Sequence, residues 1–84
     1  MKLVFAEQAW DDYLYWQQTD EKIVKRINEL IAAAARDPFS GIGKPEPLKY
    51  ALAGYWSRRL TEADRMVYRM DDGALLIAQL RYHY

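Results

Sequence analysis

The chain contains no cysteine, and its single histidine lies one residue from the end. Without cysteine there is no disulfide and no thiolate metal site, which suits a reducing cytoplasm. No apolar run approaches membrane-spanning length, and Met1-Lys2-Leu3-Val4-Phe5 reaches Glu7 too soon for a signal peptide, so a soluble, cytoplasmic protein is expected. Excess charge is missing too. Twelve Lys and Arg balance twelve Asp and Glu, which taken alone argues against binding nucleic acid through net charge. The halves differ slightly: residues 1–40 carry five basic and seven acidic side chains, residues 41–84 seven basic and five acidic. Five of those seven are arginines, a good geometric match to phosphate oxygens, although a solvated sheet edge would explain the bias as well.

What is present is ample apolar material for one small domain, with 51% hydrophobic and 14% aromatic residues in 84. A chain of this size buries only about 60–65% of its unfolded surface, so modest stability is expected. One domain, residues 1–84, is expected. Lys2 to Ala6 reads as a first strand. Glu7 to Gln18 places Trp10, Tyr13 and Leu14 at helical spacing, with Asp11 and Asp12 turned away. Thr19 is the expected N-cap of a second helix, whose stripe runs through Ile23, Ile27, Leu30, Ile31 and Ala34 and stops at Asp37-Pro38. That stripe reads as core.

Phe39 to Pro47 reads as a loop: two glycines loosen its first part and two prolines bracket Glu46. It lacks the spacing of a phosphate-binding P-loop. Thereafter Tyr55 to Leu60, Arg65 to Met70 and Ala74 to Tyr82 read as strands, separated by Thr61–Asp64 and by Asp71-Asp72-Gly73. Paired antiparallel and joined by the N-terminal strand, they give an α+β fold: two helices on one face of a roughly four-stranded, mainly antiparallel sheet.

Pairing gives the lone histidine its interest, because histidine is the side chain that ordinarily gives or takes a proton near neutral pH. With Thr61–Asp64 as the loop, Arg59 falls opposite Met66 and diagonal to Arg65. Arg65 then comes level with Leu80, or with Arg81 to His83 if the final turn is a residue longer. Either register gathers Arg59, Arg65 and the chain end. Two guanidiniums beside a proton donor form a plausible phosphate site. Pairing of these arginines with Glu62, Asp64 or the Tyr84 carboxylate on a wet surface is about as plausible on geometry alone.

Five segments carry a family resemblance: Trp10-Asp11-Asp12-Tyr13, Gly43 to Lys49, Trp56-Ser57-Arg58-Arg59, Arg65-Met66-Val67-Tyr68 and Arg81-Tyr82-His83-Tyr84. In this order and spacing the chain resembles the YoeB toxins of the RelE/ParE superfamily over essentially its full length. The resemblance implies a RelE-like fold and a ribosome-dependent endoribonuclease that cleaves mRNA in the decoding site, without metal or cofactor. It implies Glu46 as general base on the attacking 2′-hydroxyl and His83 as general acid for the leaving 5′-oxygen. Lys49, Arg59 and Arg65 would neutralise the phosphate, and Tyr84 would orient the substrate. The implied partners are the ribosome, mRNA and a YefM/Phd-like antitoxin with a disordered acidic C-terminal segment. DNA would be reached only through that antitoxin, no membrane is involved, and a homodimer is implied. The competing reading is a non-catalytic module of the same fold that joins an antitoxin in a repressor complex; a sheet-edge interaction domain is a third. Binding alone needs neither an acid nor a base, so Glu46 and His83 separate the readings.

Overall fold

The stripe along residues 23–34 decides where the core forms. In the computed structural model, which describes all of residues 1–84, it lies on helix α2 (Glu21–Arg36). Ile27, Leu30 and Ala34 are fully buried there, with Ile23 and Ile31 packed at the margin. Helix α1 (Glu7–Thr19) precedes it. Against the two helices lies a sheet of five strands, one more than the sequence suggests, in the order β1 (Lys2–Phe5), β5 (Ala74–Gln79), β4 (Arg65–Asp71), β3 (Trp56–Arg59), β2 (Glu46–Pro47). β1 runs parallel to β5, and the other three pairings are antiparallel. The added strand, β2, is two residues long, too short for any periodicity to reveal.

Three local readings are corrected. The N-cap of α2 is Asp20, whose carboxylate accepts from the Lys22 amide at 3.0 Å; the Thr19 hydroxyl instead donates to the Tyr15 carbonyl. On α1, Asp12 is buried and Trp10 is 47% exposed, the reverse of the expected facing. One Asp12 oxygen accepts from the Leu80 amide at 3.0 Å and the other from the Gln8 side chain at 2.9 Å, so this carboxylate is inside because it is doubly hydrogen-bonded. Finally, β5 ends at Gln79 rather than Tyr82. The Leu80 N–H is taken by Asp12 and its carbonyl by the Trp16 indole at 2.8 Å, which diverts both groups from the sheet ladder.

The register also departs from expectation. Arg59 lies directly opposite Arg65, and Arg58 opposite Met66. The connecting loop is one residue longer because Leu60 leaves the ladder and buries its side chain in the core. Between β4 and β5 the register shifts from Tyr68↔Ile77 to Val67↔Gln79, leaving Ala78 as an extra residue. This bulge, rather than a longer turn, brings the Arg65 amide to the Tyr82 carbonyl at 3.0 Å.

The loop before β2 is fastened by Arg58, which is completely buried. Its guanidinium donates to the Tyr68 hydroxyl at 2.9 Å and to the carbonyls of Asp37 (2.7 Å), Ser40 (2.9 Å) and Ile42 (2.9 Å). Tyr68 in turn donates to the Pro38 carbonyl at 2.6 Å, and its hydroxyl is pushed up in pKa, chiefly by burial. Gly43 continues the path at φ +84°, where a Cβ would come within 2.7 Å of Leu30 Cδ2 and 3.1 Å of Arg58 Cβ. Only glycine fits there, and its carbonyl accepts from the Arg59 amide at 2.7 Å. The loop up to Gly43 is therefore tied to β3 through the buried arginine and the Arg59 amide.

Candidate active site

Met66 and Tyr68 point into the core, so alternation along β4 sends Arg65 and Val67 to the face the helices leave open. Their cross-strand partners, Arg59 and Ser57, share that face, as does Glu46 opposite Ser57. The row Glu46–Ser57–Val67–Gln79 thus crosses four strands, with Arg59 and Arg65 two positions further along β3 and β4.

Two clefts hold these residues, one beside β2 and one at the end of β3 and β4, where α2 reaches it. The first, of about 460 Å³, is lined by Glu46, Pro47, Lys49, Tyr50 and Tyr84, among others. It places the predicted base, one predicted cation and the predicted orienting tyrosine around a single space. Tyr50 at its rim is 93% exposed at φ +57°, an accessible aromatic face of the kind that stacks on a base. The second cleft, of about 370 Å³, is lined by Arg26, Arg59, Thr61, Glu62 and Arg65. Arg59 and Arg65 sit directly across from one another, an unfavourable placement for like charges unless an anion joins them. The one ion pair in the molecule is Arg69–Asp71, so Arg59, Arg65, Arg26 and Lys49 have no carboxylate partner. Pairing with Glu62, Asp64 or the Tyr84 carboxylate does not occur. Arg65 does donate to the carbonyls of Thr61, Glu62 and Asp64 at 3.0, 3.3 and 3.1 Å, which holds its side chain without neutralising it.

His83 lies on the segment that links the two clefts, between Tyr82, bonded to the Arg65 amide, and Tyr84, in the cleft with Glu46. It forms no hydrogen bond to Glu46, Arg59 or Arg65. Its Nδ1 lies 3.1 Å from the Tyr84 main-chain oxygen, and its ring stacks on Tyr84 with centroids 4.5 Å apart. With Nδ1 so engaged, Nε2 is the nitrogen left free. Sequence reasoning missed three contributors. Arg26 joins the arginine cleft from α2, a contact between elements far apart in the chain. Asp12 and Asp64 grip the backbone of the terminal segment, and nothing in their sequence surroundings marks them for it. No cluster of three or more His, Asp or Glu side chains converges as a metal site would require, and no helix is long and apolar enough to cross a membrane.

Residues 5–84 match the family model of the YoeB-like toxin of bacterial type II toxin–antitoxin systems. Toxin YoeB of Escherichia coli K12 is 63% identical over 84 residues, the full length of both chains. Among solved structures, a YoeB/ParE toxin from Agrobacterium tumefaciens superposes with a TM-score of 0.96 at 55% identity, covering both chains completely. A YoeB dimer from Staphylococcus aureus gives 0.92 at 48% identity, covering 100% of this chain and 98% of that one. The same organism's YoeB also forms a heterotetrameric complex with the antitoxin YefM, and its YoeB chain superposes at 0.91 with 48% identity and the same coverage. With a fold, a length and a sequence all shared along its whole extent, the chain belongs to the YoeB-like toxins of bacterial type II toxin–antitoxin systems.

Proposed function

We propose that this toxin is a ribosome-dependent endoribonuclease that cuts mRNA in the decoding site. The observation that carries the reading is the grouping of these residues: Glu46, Lys49 and Tyr84 share one cleft, and the unpaired Arg59 and Arg65, cross-strand partners, line another. In this mechanism Glu46 takes the proton from a ribose 2′-hydroxyl. The 2′-oxygen attacks the adjacent phosphorus, forming the 2′,3′-cyclic phosphate as the P–O5′ bond breaks. Protonated His83 gives its Nε2 proton to the departing 5′-oxygen, while its Nδ1–H is held by the Tyr84 main-chain oxygen. Lys49, Arg59 and Arg65 meet the extra charge of the five-coordinate phosphate, and Tyr84 sets the approach of the nucleotide. The nucleophile exists only in RNA, so DNA should survive.

Zero net charge fits a protein that borrows binding surface from the ribosome rather than tracking RNA alone. The same unpaired cations suit the acidic segment of an antitoxin, which would fold across them and block both clefts. By likeness to the S. aureus proteins, we extend a homodimer and a YefM-type antitoxin partner to this chain, and place it in the cytoplasm.

The test is cleavage of a defined message on purified translating ribosomes, read by primer extension and by the cyclic phosphate at the new 3′ end. Glu46→Gln and His83→Gln should each slow cutting by about 10²-fold or more. Wild-type rates in Glu46→Gln would overturn the acid–base reading. Comparable cutting of ribosome-free RNA would overturn the ribosome requirement.

A further inference from the structure

Tyr82, immediately before the single histidine, has φ +69°, a left-handed conformation that a bulky residue adopts only when its surroundings impose it. Three groups hold it there. The Asp64 carboxylate accepts from the Tyr82 amide at 2.6 Å. The Arg65 amide donates to the Tyr82 carbonyl at 3.0 Å. The Gln79 side chain donates to the Arg81 carbonyl at 2.8 Å. Asp64 is itself fixed, because its second oxygen accepts from the Thr61 hydroxyl at 2.7 Å, and that hydroxyl accepts from the amides of Ala63 and Asp64. One residue upstream, the Arg81 guanidinium lies 3.5 Å from the Tyr15 ring centroid. Beyond Tyr82 the only hydrogen bond is between His83 and Tyr84 themselves, whose rings also stack.

From this geometry we infer that Asp64 is a positioning residue for catalysis: by holding Tyr82 left-handed it sets where the His83 imidazole stands relative to the phosphate cleft. The inference rests on the proposed ribonuclease activity, and it gives the Thr61–Asp64 loop a task besides reversing the chain. The loop carries Arg65 at its end and grips Tyr82 through its last side chain, so the phosphate-binding cation and the proton donor are set from one support. Asp64 touches no reacting atom. Its effect is on placement, and a misplacement of the acid by about 1 Å can cost on the order of 10²-fold in rate.

The experiment compares wild type, Asp64→Ala and Asp64→Asn in two readouts. In ribosome-bound mRNA cleavage, Asp64→Ala is expected to lower kcat about 10–100-fold and to change KM much less, since Lys49, Arg59 and Arg65 stay in place while only the tail is released. Asp64→Asn keeps an acceptor oxygen but loses the charge, and should fall between the two. The second readout is proton NMR of the ring of His83, the only histidine signal. In Asp64→Ala it should move toward the position of an unstructured peptide and relax as a mobile tail. Wild-type kcat in Asp64→Ala overturns the inference, and so does a lowered kcat with an unmoved His83 signal. Should Asp64→Ala fail to fold, Asp64→Asn decides, with unchanged kcat and an unmoved signal overturning it. If the wild type cuts no RNA the functional reading falls, while the NMR comparison still judges the clamp.

Discussion

Replacing Arg58 with methionine isolates what a buried cation does for this fold. The side chain is fully enclosed and donates four hydrogen bonds, one to the Tyr68 hydroxyl and three to carbonyls of residues 37–42. At about 1.5–3 kcal/mol for each bond to a charged group, the gross sum would reach about 6–12 kcal/mol. Most of that does not survive. Burying the guanidinium costs several kcal/mol, which methionine avoids. The carbonyls of Asp37, Ser40 and Ile42 lie on an exposed loop that can give way to let water reach them, and Tyr68 keeps its bond to Pro38. A net loss of about 3 kcal/mol is therefore expected, within the range for breaking a buried polar network. For a domain of this size that lowers Tm by about 12–24 °C. Arg58→Lys should cost less, since it keeps the charge, but one ammonium cannot span all four acceptors. Circular dichroism melts measure the shift, and amide hydrogen exchange over residues 37–47 should quicken together with it. A methionine variant melting within about 4 °C of wild type, its loop still protected, would show that the four bonds merely replace bonds to water.

Extending the chain by a peptide after Tyr84, or deleting Tyr84, should abolish growth arrest and mRNA cleavage, because Tyr84 lines the Glu46 cleft and stacks on His83; an N-terminal tag should leave both intact, and a fully active C-terminal extension would count against the tail. Asp37 should show in acid titrations. Hydrogen bonds from the Ser40 hydroxyl and the Phe39 amide, with help from Arg58, hold its carboxyl below the usual carboxylate range. Its contribution is present above the unfolded pKa of about 3.9 and lost as pH falls through the lower folded value. Asp37→Asn should therefore flatten the stability curve below about pH 4, as followed by urea melts at stepped pH. Tyr68 works at the other end: burial raises its pKa, so its contribution is complete below about pH 10 and lost as pH rises through the folded value. Tyr68→Phe should remove that part of the alkaline loss.

The second helix was legible because Ile23 to Ala34 repeats at helical spacing and nothing competes with it. The first was legible as a helix but not in its facing. Hydrophobicity placed Trp10 inside and Asp12 outside, while the fold needed an acceptor for the Leu80 amide 68 residues away. No local pattern encodes that demand. The strands of the second half were found and Met70 does oppose Leu75, yet the levels further along are displaced by one buried leucine and one bulge. For the site, residue types and family likeness pointed to Glu46, Lys49, Arg59, Arg65, His83 and Tyr84. The structure gathers five of these along two clefts and leaves His83 on the segment between them. The supports of that segment, Asp12, Trp16 and Asp64, act through main-chain atoms, and such contacts leave no signature in side-chain type.

The extra residue at Ala78 has a bearing on how such a chain can vary. Ile77 and Leu80 are three positions apart, yet both face inward, because the interruption resets the alternation between them. Shortening the strand by that one residue would restore strict alternation. Gln79 would stay outward and Leu80 inward, so the faces beyond would be kept. Position 78 is therefore where this stretch can lose a residue without inverting its faces, and in a library of single-residue deletions it should be tolerated better than the paired positions before it.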